Sequence, residues 1–206
     1  MKLRDYKDVG DGSIFHAYNR GNNKEKIFFD QQDYRAFLFR LGLILGFEEA
    51  ELNKNVLTNL PHSRIRIEGL GKNAFKLHSF CLMPNHFHLL IEQSKNIPIS
   101  NLILKLCTSY AMYINRKYKR VGHLFQDQFK SKVINSNEQL MWTSAYIHTN
   151  PLKDGLVSNI NDYKWSSYID YTSDRNFILV YRQIIEELFD GNDFLDETIN
   201  LSNDPM

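Results

Sequence analysis

The sequence predicts an α+β fold, a ferredoxin-like sandwich in which helices pack on a central antiparallel sheet, with a C-terminal helical extension. Three observations carry this. Stretches of strand and helix periodicity follow in the order strand, helix, strand, strand, helix, strand, helix. The tight Met83-Pro84-Asn85 turn joins two apolar-rich stretches as a hairpin. A chain of 206 residues, 43% apolar and 13% aromatic, can bury one ordinary core, and it holds no internal repeat or low-complexity tract.

The first strand is Ile14 to Asn19, followed by the turn-rich Arg20-Gly-Asn-Asn-Lys24. Apolar periodicity from Tyr34 to Phe47 marks a helix, with Asp30 as its N-cap and Asp33 three residues on, where the helix dipole favours negative charge. From Glu48 to Gly71 the pattern scatters, so 48–71 reads as an insertion in which Arg64-Ile-Arg-Ile67 forms a short strand. Phe75 to Leu82 and His86 to Glu92 are the hairpin strands. Ser100 caps a helix to about Tyr118 that aligns Leu102, Leu106, Tyr110 and Tyr113, and Gly122 ends it. Phe125 to Ile134 alternates as a fourth strand. Asn137 opens a helix through Leu140, Met141, Tyr146 and Ile147 that has to stop at or before Pro151.

After Trp165-Ser-Ser-Tyr168 the composition changes. Asp174 to Met206 carries eight acidic residues against Arg175 and Arg182, a net of −6, with Ile184, Ile185 and Leu188 marking an amphipathic helix. The expected division is a domain over 1–170 and an acidic helical tail over 171–206. Met1 to Asp11 lacks the apolar core of a signal peptide, and no stretch reaches the roughly 18 apolar residues of a membrane span. Cys81 and Cys107 sit among apolar neighbours and read as reduced, buried thiols, so the expected location is cytoplasmic.

His86-Phe87-His88 is the most informative short motif. A strand projects alternate residues from one face, so the two imidazoles point the same way, about 7 Å apart along the backbone. Phe87, Leu89 and Ile91 then face a core, and the opposite face is left for chemistry. The pair suits half of a divalent metal site, although any half-buried strand shows the same alternation. Tyr146 and Asn150 lie four apart on a helix and share a face. The amide oxygen of Asn150 can be a third neutral ligand, and the Tyr146 phenolate can attack an electrophile held there. Such a ligand set leaves Mg²⁺ or Mn²⁺ its full charge for a scissile phosphate. Tyr110, Tyr113 and Tyr118 compete with Tyr146, since the chain has 11 tyrosines.

Net charge is only +1, so basic character has to be local. Between Gln93 and Asn137 eight Lys and Arg stand against Asp127 alone, a net of +7. Arg116, Lys117, Lys119 and Arg120 are clustered, and with Lys130 and Lys132 they form a candidate DNA-binding patch.

Phe15-His-Ala-Tyr-Asn-Arg-Gly-Asn22, Leu82-Met-Pro-Asn-His-Phe-His-Leu-Leu90, Gly122-His-Leu-Phe-Gln126, Tyr146-Ile-His-Thr-Asn-Pro-Leu-Lys-Asp-Gly-Leu156 and Trp165-Ser-Ser-Tyr168 occur in that order. Over about Ile14 to Tyr168 this pattern resembles the REP-associated tyrosine transposases, relatives of the single-tyrosine HUH transposases of the insertion sequence 200/605 type. The resemblance implies a ferredoxin-like nuclease that cleaves single-stranded DNA beside REP-like hairpins. By position His86 and His88 match its metal pair, Tyr146 the nucleophile that becomes linked to a 5′-phosphate, and Asn150 the residue completing the metal shell. His148 falls off that helix face, as a structural or DNA-contacting residue. Two features depart from the family pattern: the length of 48–71, and Gln128 where an arginine is expected. The resulting expectation is a metal-dependent endonuclease and strand transferase, monomer or homodimer, with no membrane partner. The alternatives are a host-adopted hairpin-binding protein that no longer cuts, and a small-phosphoester hydrolase for which Glu92 is the nearby carboxylate.

Overall fold

The computed structural model describes residues 10–54, 67–175, 177–189 and 194–203. Its centre is a four-stranded sheet of β1 (Ser13–Arg20), β2 (Phe75–Met83), β3 (His86–Gln93) and β4 (Lys130–Ile134). The spatial order is β2-β3-β1-β4 and every pair is antiparallel. With α1 (Gln31–Leu45) between β1 and β2, and α3 (Ile99–Lys117) between β3 and β4, this is the ferredoxin-like α+β sandwich the sequence predicts. The short α2 (Glu49–Lys54) follows α1. The start of the chain, 1–9, and residues 64–66 of the expected strand over 64–67 lie outside the described residues, and Ile67 is in no strand.

Alternation sorts the side chains of β1 and β3 onto two faces. Phe15, Ala17, Phe87, Leu89 and Ile91 face the larger core with Phe37, Leu41, Leu102, Leu106 and Tyr110 of α1 and α3. The other face is covered by α4 (Asn137–Lys153), whose Leu140 and Ile147 pack with Cys81, Met83 and Leu90 in a second core. The face carrying the histidines is therefore largely closed by a helix, against the expectation that it is free. The short α5 (Tyr168–Thr172), α6 (Gln183–Leu188) and α7 (Phe194–Asn203) complete the described structure, and α6 and α7 pack on α4. No helix among the described residues is long and apolar enough to cross a membrane.

Local chemistry explains most element ends. Asp30 and Asp33 form a reciprocal capping box at the start of α1, and Gly46 ends it in the left-handed conformation at φ +93°. Four expectations are corrected. Ser100 lies inside the first turn of α3, which begins at Ile99 after Pro98 without a side-chain cap. The fourth strand starts at Lys130 and not Phe125, because the preceding segment bonds across the end of β1: Gln126 N–H donates to Arg20 O (2.9 Å) and Asn22 N–H to Leu124 O (2.9 Å). Asp127 then caps its own turn by accepting from Gln128 N–H (2.7 Å). The last core helix continues through Pro151 to Lys153, since a proline in the final turn removes one ladder bond and no more. Cys107 is half-buried, whereas Cys81 is buried and its thiol pKa is raised by that burial.

Candidate active site

The sheet register builds one wall of the site. Directly opposite residues of antiparallel strands share a face, and the pairs here are Arg20 with His86, Tyr18 with His88 and Lys130, and His16 with Leu90 and Lys132. Three histidines, one arginine and two of the expected DNA-binding lysines thus lie on the face that α4 crosses. Gly21, just after Arg20, donates its N–H to Asn85 O (2.8 Å), and a Cβ there would collide with the Glu25 carbonyl and the Ile27 side chain. This close approach holds the turn after β1 against the His86 end of the hairpin.

The second wall is α4. Its Tyr146 ring stacks on Trp142 one turn earlier (5.3 Å, 6°) and lies edge-on to His88 (5.6 Å) and His16 (6.0 Å). Lys153 Nζ sits 5.6 Å over the same ring. Asn150 donates its amide N–H to Tyr146 O (2.6 Å), which turns Asn150 Oδ1 away from the helix backbone as a remaining acceptor. His86, His88, Tyr146 and Asn150 line one cavity of about 480 Å³, together with Arg20, Lys24, Lys130 and Asp154.

Hydrogen bonds define how the two imidazoles present themselves. Asn85 Oδ1 only accepts, so His86 Nδ1 carries the proton of that 2.6 Å bond and His86 Nε2 keeps a lone pair. His88 Nδ1 faces His16 Nε2 at 2.8 Å, again leaving Nε2 as the outward nitrogen. Burial holds both histidines neutral. It lowers the His86 pKa to about 4, with the Arg20 charge adding to the effect, and places His88 well below its ordinary value, helped by His16, His86 and Arg20. Burial also raises the Tyr146 phenol, partly offset by Asn150.

Among the described residues no three His, Cys, Asp or Glu side chains could hold a metal ion. A site here has to be completed by the amide of Asn150. The outward nitrogens of His86 and His88 and the amide oxygen of Asn150 are the groups that could hold a divalent ion such as Mn²⁺ or Mg²⁺, with coordination left for water and phosphate.

The other expected DNA-binding residues divide. Arg116 and Lys119 are exposed. Lys117 is bound by Asp30 and by the fully buried Asp33, both at 2.7 Å, so little of its charge is left for a phosphate. Arg120 pairs with Glu25 at 3.6 Å. Lys130 lines the cavity, and Lys132 is exposed on the same sheet face. His148 is buried, bonded to Ser167 Oγ at 2.8 Å among Tyr168, Tyr171 and Phe194, and has a packing role. Glu92 is not the nearby carboxylate: His78, Lys76 and Ser94 hold it toward the opposite end of β3, while Asp154 lines the cavity.

Sequence reasoning missed His16, Arg20 and Asp154 as members of the site. All three stood in quoted motifs, but their placement needs the strand register and the turn after α4. Gln128, which stands where an arginine was expected, does line the cavity, with Arg20, Lys24 and Lys130 as cations beside it.

Residues 52–150 match the family described as Transposase IS200 like. A curated relative, "Putative REP-associated tyrosine transposase" of Haemophilus influenzae, is 28% identical over 106 residues, covering 46% of this chain and 59% of the relative. The chain thus spans about three fifths of that relative's length. A solved structure of a REP-associated tyrosine transposase bound to a REP hairpin shares the fold, with a TM-score of 0.57, 14% identity, and coverage of 88% of this chain and 98% of that one. The family match takes in β3 and most of α4, two of the elements that frame the cavity, so the chain is similar there to the IS200-like transposases, is similar in sequence to a REP-associated tyrosine transposase, and shares the fold of a solved one.

Proposed function

We propose that the chain is a metal-dependent endonuclease and strand transferase for single-stranded DNA, cutting beside a hairpin through a 5′-phosphotyrosine intermediate. The observation that supports it most is the shared cavity, which presents a phenol, two outward imidazole nitrogens and an amide oxygen beside Arg20 and Lys130. Mg²⁺ or Mn²⁺ held by His86, His88 and Asn150 would supply charge stabilisation at the scissile phosphate. Tyr146 Oη attacks phosphorus, the bond to the 3′ oxygen breaks, and the phenol proton ends on the released 3′-hydroxyl. The 5′-phosphate stays on the tyrosine, so the reaction reverses when another 3′-hydroxyl attacks, which is strand transfer. Arg20 and Lys130 bind the flanking phosphates, and Arg116, Lys119 and Lys132 extend the basic surface. The raised phenol pKa means that Tyr146 is protonated at rest and becomes a nucleophile only with cationic help.

The hairpin partner is carried over from the neighbour bound to a REP hairpin, and a DNA substrate implies a cytoplasmic location. The test is incubation with labelled single-stranded hairpins in Mn²⁺ or EDTA, followed by a denaturing gel and peptide mapping. The expected result is a Mn²⁺-dependent adduct on Tyr146, lost in Tyr146→Phe while hairpin binding stays within about threefold, as for a group used only in the transition state. An adduct that survives in Tyr146→Phe refutes the nucleophile. Hairpins bound but uncut in both Mg²⁺ and Mn²⁺ would make the protein a hairpin-binding module.

A further inference from the structure

We propose that His16 is a positioning residue for His88: its Nε2 accepts the His88 Nδ1 proton and thereby leaves the His88 Nε2 lone pair directed into the cavity. The proposal rests on the metal reading above and adds a residue to it. His16 stands on β1 opposite Leu90, one step along the face from the Tyr18–His88 pair, so it is the diagonal neighbour of His88 across the central strands. The two nitrogens are 2.8 Å apart and the rings stack at 5.1 Å and 28°, with both residues buried. Tyr18 at 5.0 Å and Tyr146 at 6.0 Å confine the His16 ring, and Lys132 lies across from it on β4.

A neutral imidazole has one donor and one acceptor, so a single proton lies between these facing nitrogens. Two arrangements exist. If His16 donates, the His88 proton sits on Nε2 and the outward nitrogen is blocked. If His88 donates, Nε2 is free. His86 reaches the second state through the fixed acceptor Asn85 Oδ1, itself held by its Nδ2 donating to Lys24 O at 3.1 Å. The two ligand histidines are thus set in the same tautomer by different partners, one an amide from the hairpin turn and the other an imidazole from the adjacent strand. Such partners fix ring orientation and ligand basicity at metal sites. A phenylalanine would fill the space of His16 but accept nothing.

The experiment compares wild type, His16→Phe and His16→Gln, each first shown to unfold cooperatively in EDTA. Mn²⁺ affinity is read by calorimetry, the Co²⁺ visible spectrum reports ligand geometry, and long-range ¹H–¹⁵N NMR of the metal-free wild type reports the His88 tautomer. We expect the proton on His88 Nδ1, and Mn²⁺ binding weakened on the order of 10–100-fold in His16→Phe. His16→Gln, whose amide oxygen can accept at the same place, should recover most of the affinity and the wild-type Co²⁺ spectrum. A His88 proton on Nε2, or equal affinity in His16→Phe and wild type, overturns the proposal even if DNA is cut. If the wild type shows the expected tautomer but binds no Mn²⁺, the orienting bond stands and the metal reading falls instead.

Discussion

At the scale of single residues, the site's electrostatics rest on Arg20 as much as on the histidines. Its charge lowers the pKa of His86 and of His88 and acts on Tyr146 in the direction that favours phenolate. On the proposed function, this arginine, which lines the cavity, holds a DNA phosphate. Arg20→Ala should weaken single-stranded DNA binding alike for all sequences and reduce the slope of log affinity against log salt by about 0.7, one released counterion on a single strand. A salt titration of binding checks this, and an unchanged slope removes Arg20 from the contact set. His86, His88, Tyr146 and Asn150 were legible in the sequence because each pair obeys a local spacing, two along a strand and four along a helix. His16 was not, because its contact with His88 spans 72 residues and exists only once β1 and β3 are in register.

At the scale of elements, Asp33 links α1 to α3. Its carboxylate accepts from Phe29 and Asp30 N–H at the α1 start and from Tyr113, Lys117 and Tyr118 on the far helix. Asp33 is fully buried and the Lys117 side chain is mostly so. Asp33→Ala therefore removes a capping box and strips one partner from a sequestered ammonium, at a cost of about 3 kcal/mol. Urea unfolding measures it, and a loss under about 1 kcal/mol would mean that Asp30 alone satisfies Lys117. The same two carboxylates show why element starts were readable: a cap and its partner three residues on are local chemistry. The start of β4 and the end of α4 were not readable. Residues 124–126 are diverted by backbone bonds to β1, and Pro151 comes so late in α4 that the helix outlasts it.

At the scale of the whole molecule, two cores flank one sheet, and histidines are buried on the α4 side. His148 has its pKa lowered to about 3 by burial, with the Arg175 charge adding to it, whereas the unfolded chain titrates near 6.5. Below 6.5 the unfolded state binds the proton and the folded state does not. The folded form therefore keeps full stability above pH 6.5 and loses about 1.4 kcal/mol per pH unit from this group as pH falls toward 3. His16 and His86, lowered to about 4, act in the same direction. Unfolding midpoints in EDTA at pH 7.0, 6.0 and 5.0 should decline steadily, and a flat profile would contradict buried neutral histidines. The placement of the site along the chain has a further consequence, for synthesis. The cavity draws on β1 at 13–20, β3 at 86–93 and α4 at 137–153, so a nascent chain that extends past His88 but not as far as Tyr146 holds the imidazoles without the tyrosine. Non-local strand pairing and helix docking form late compared with local turns. Truncated products of translation that end before Tyr146 would accordingly carry the paired histidines without the phenol that completes the cavity.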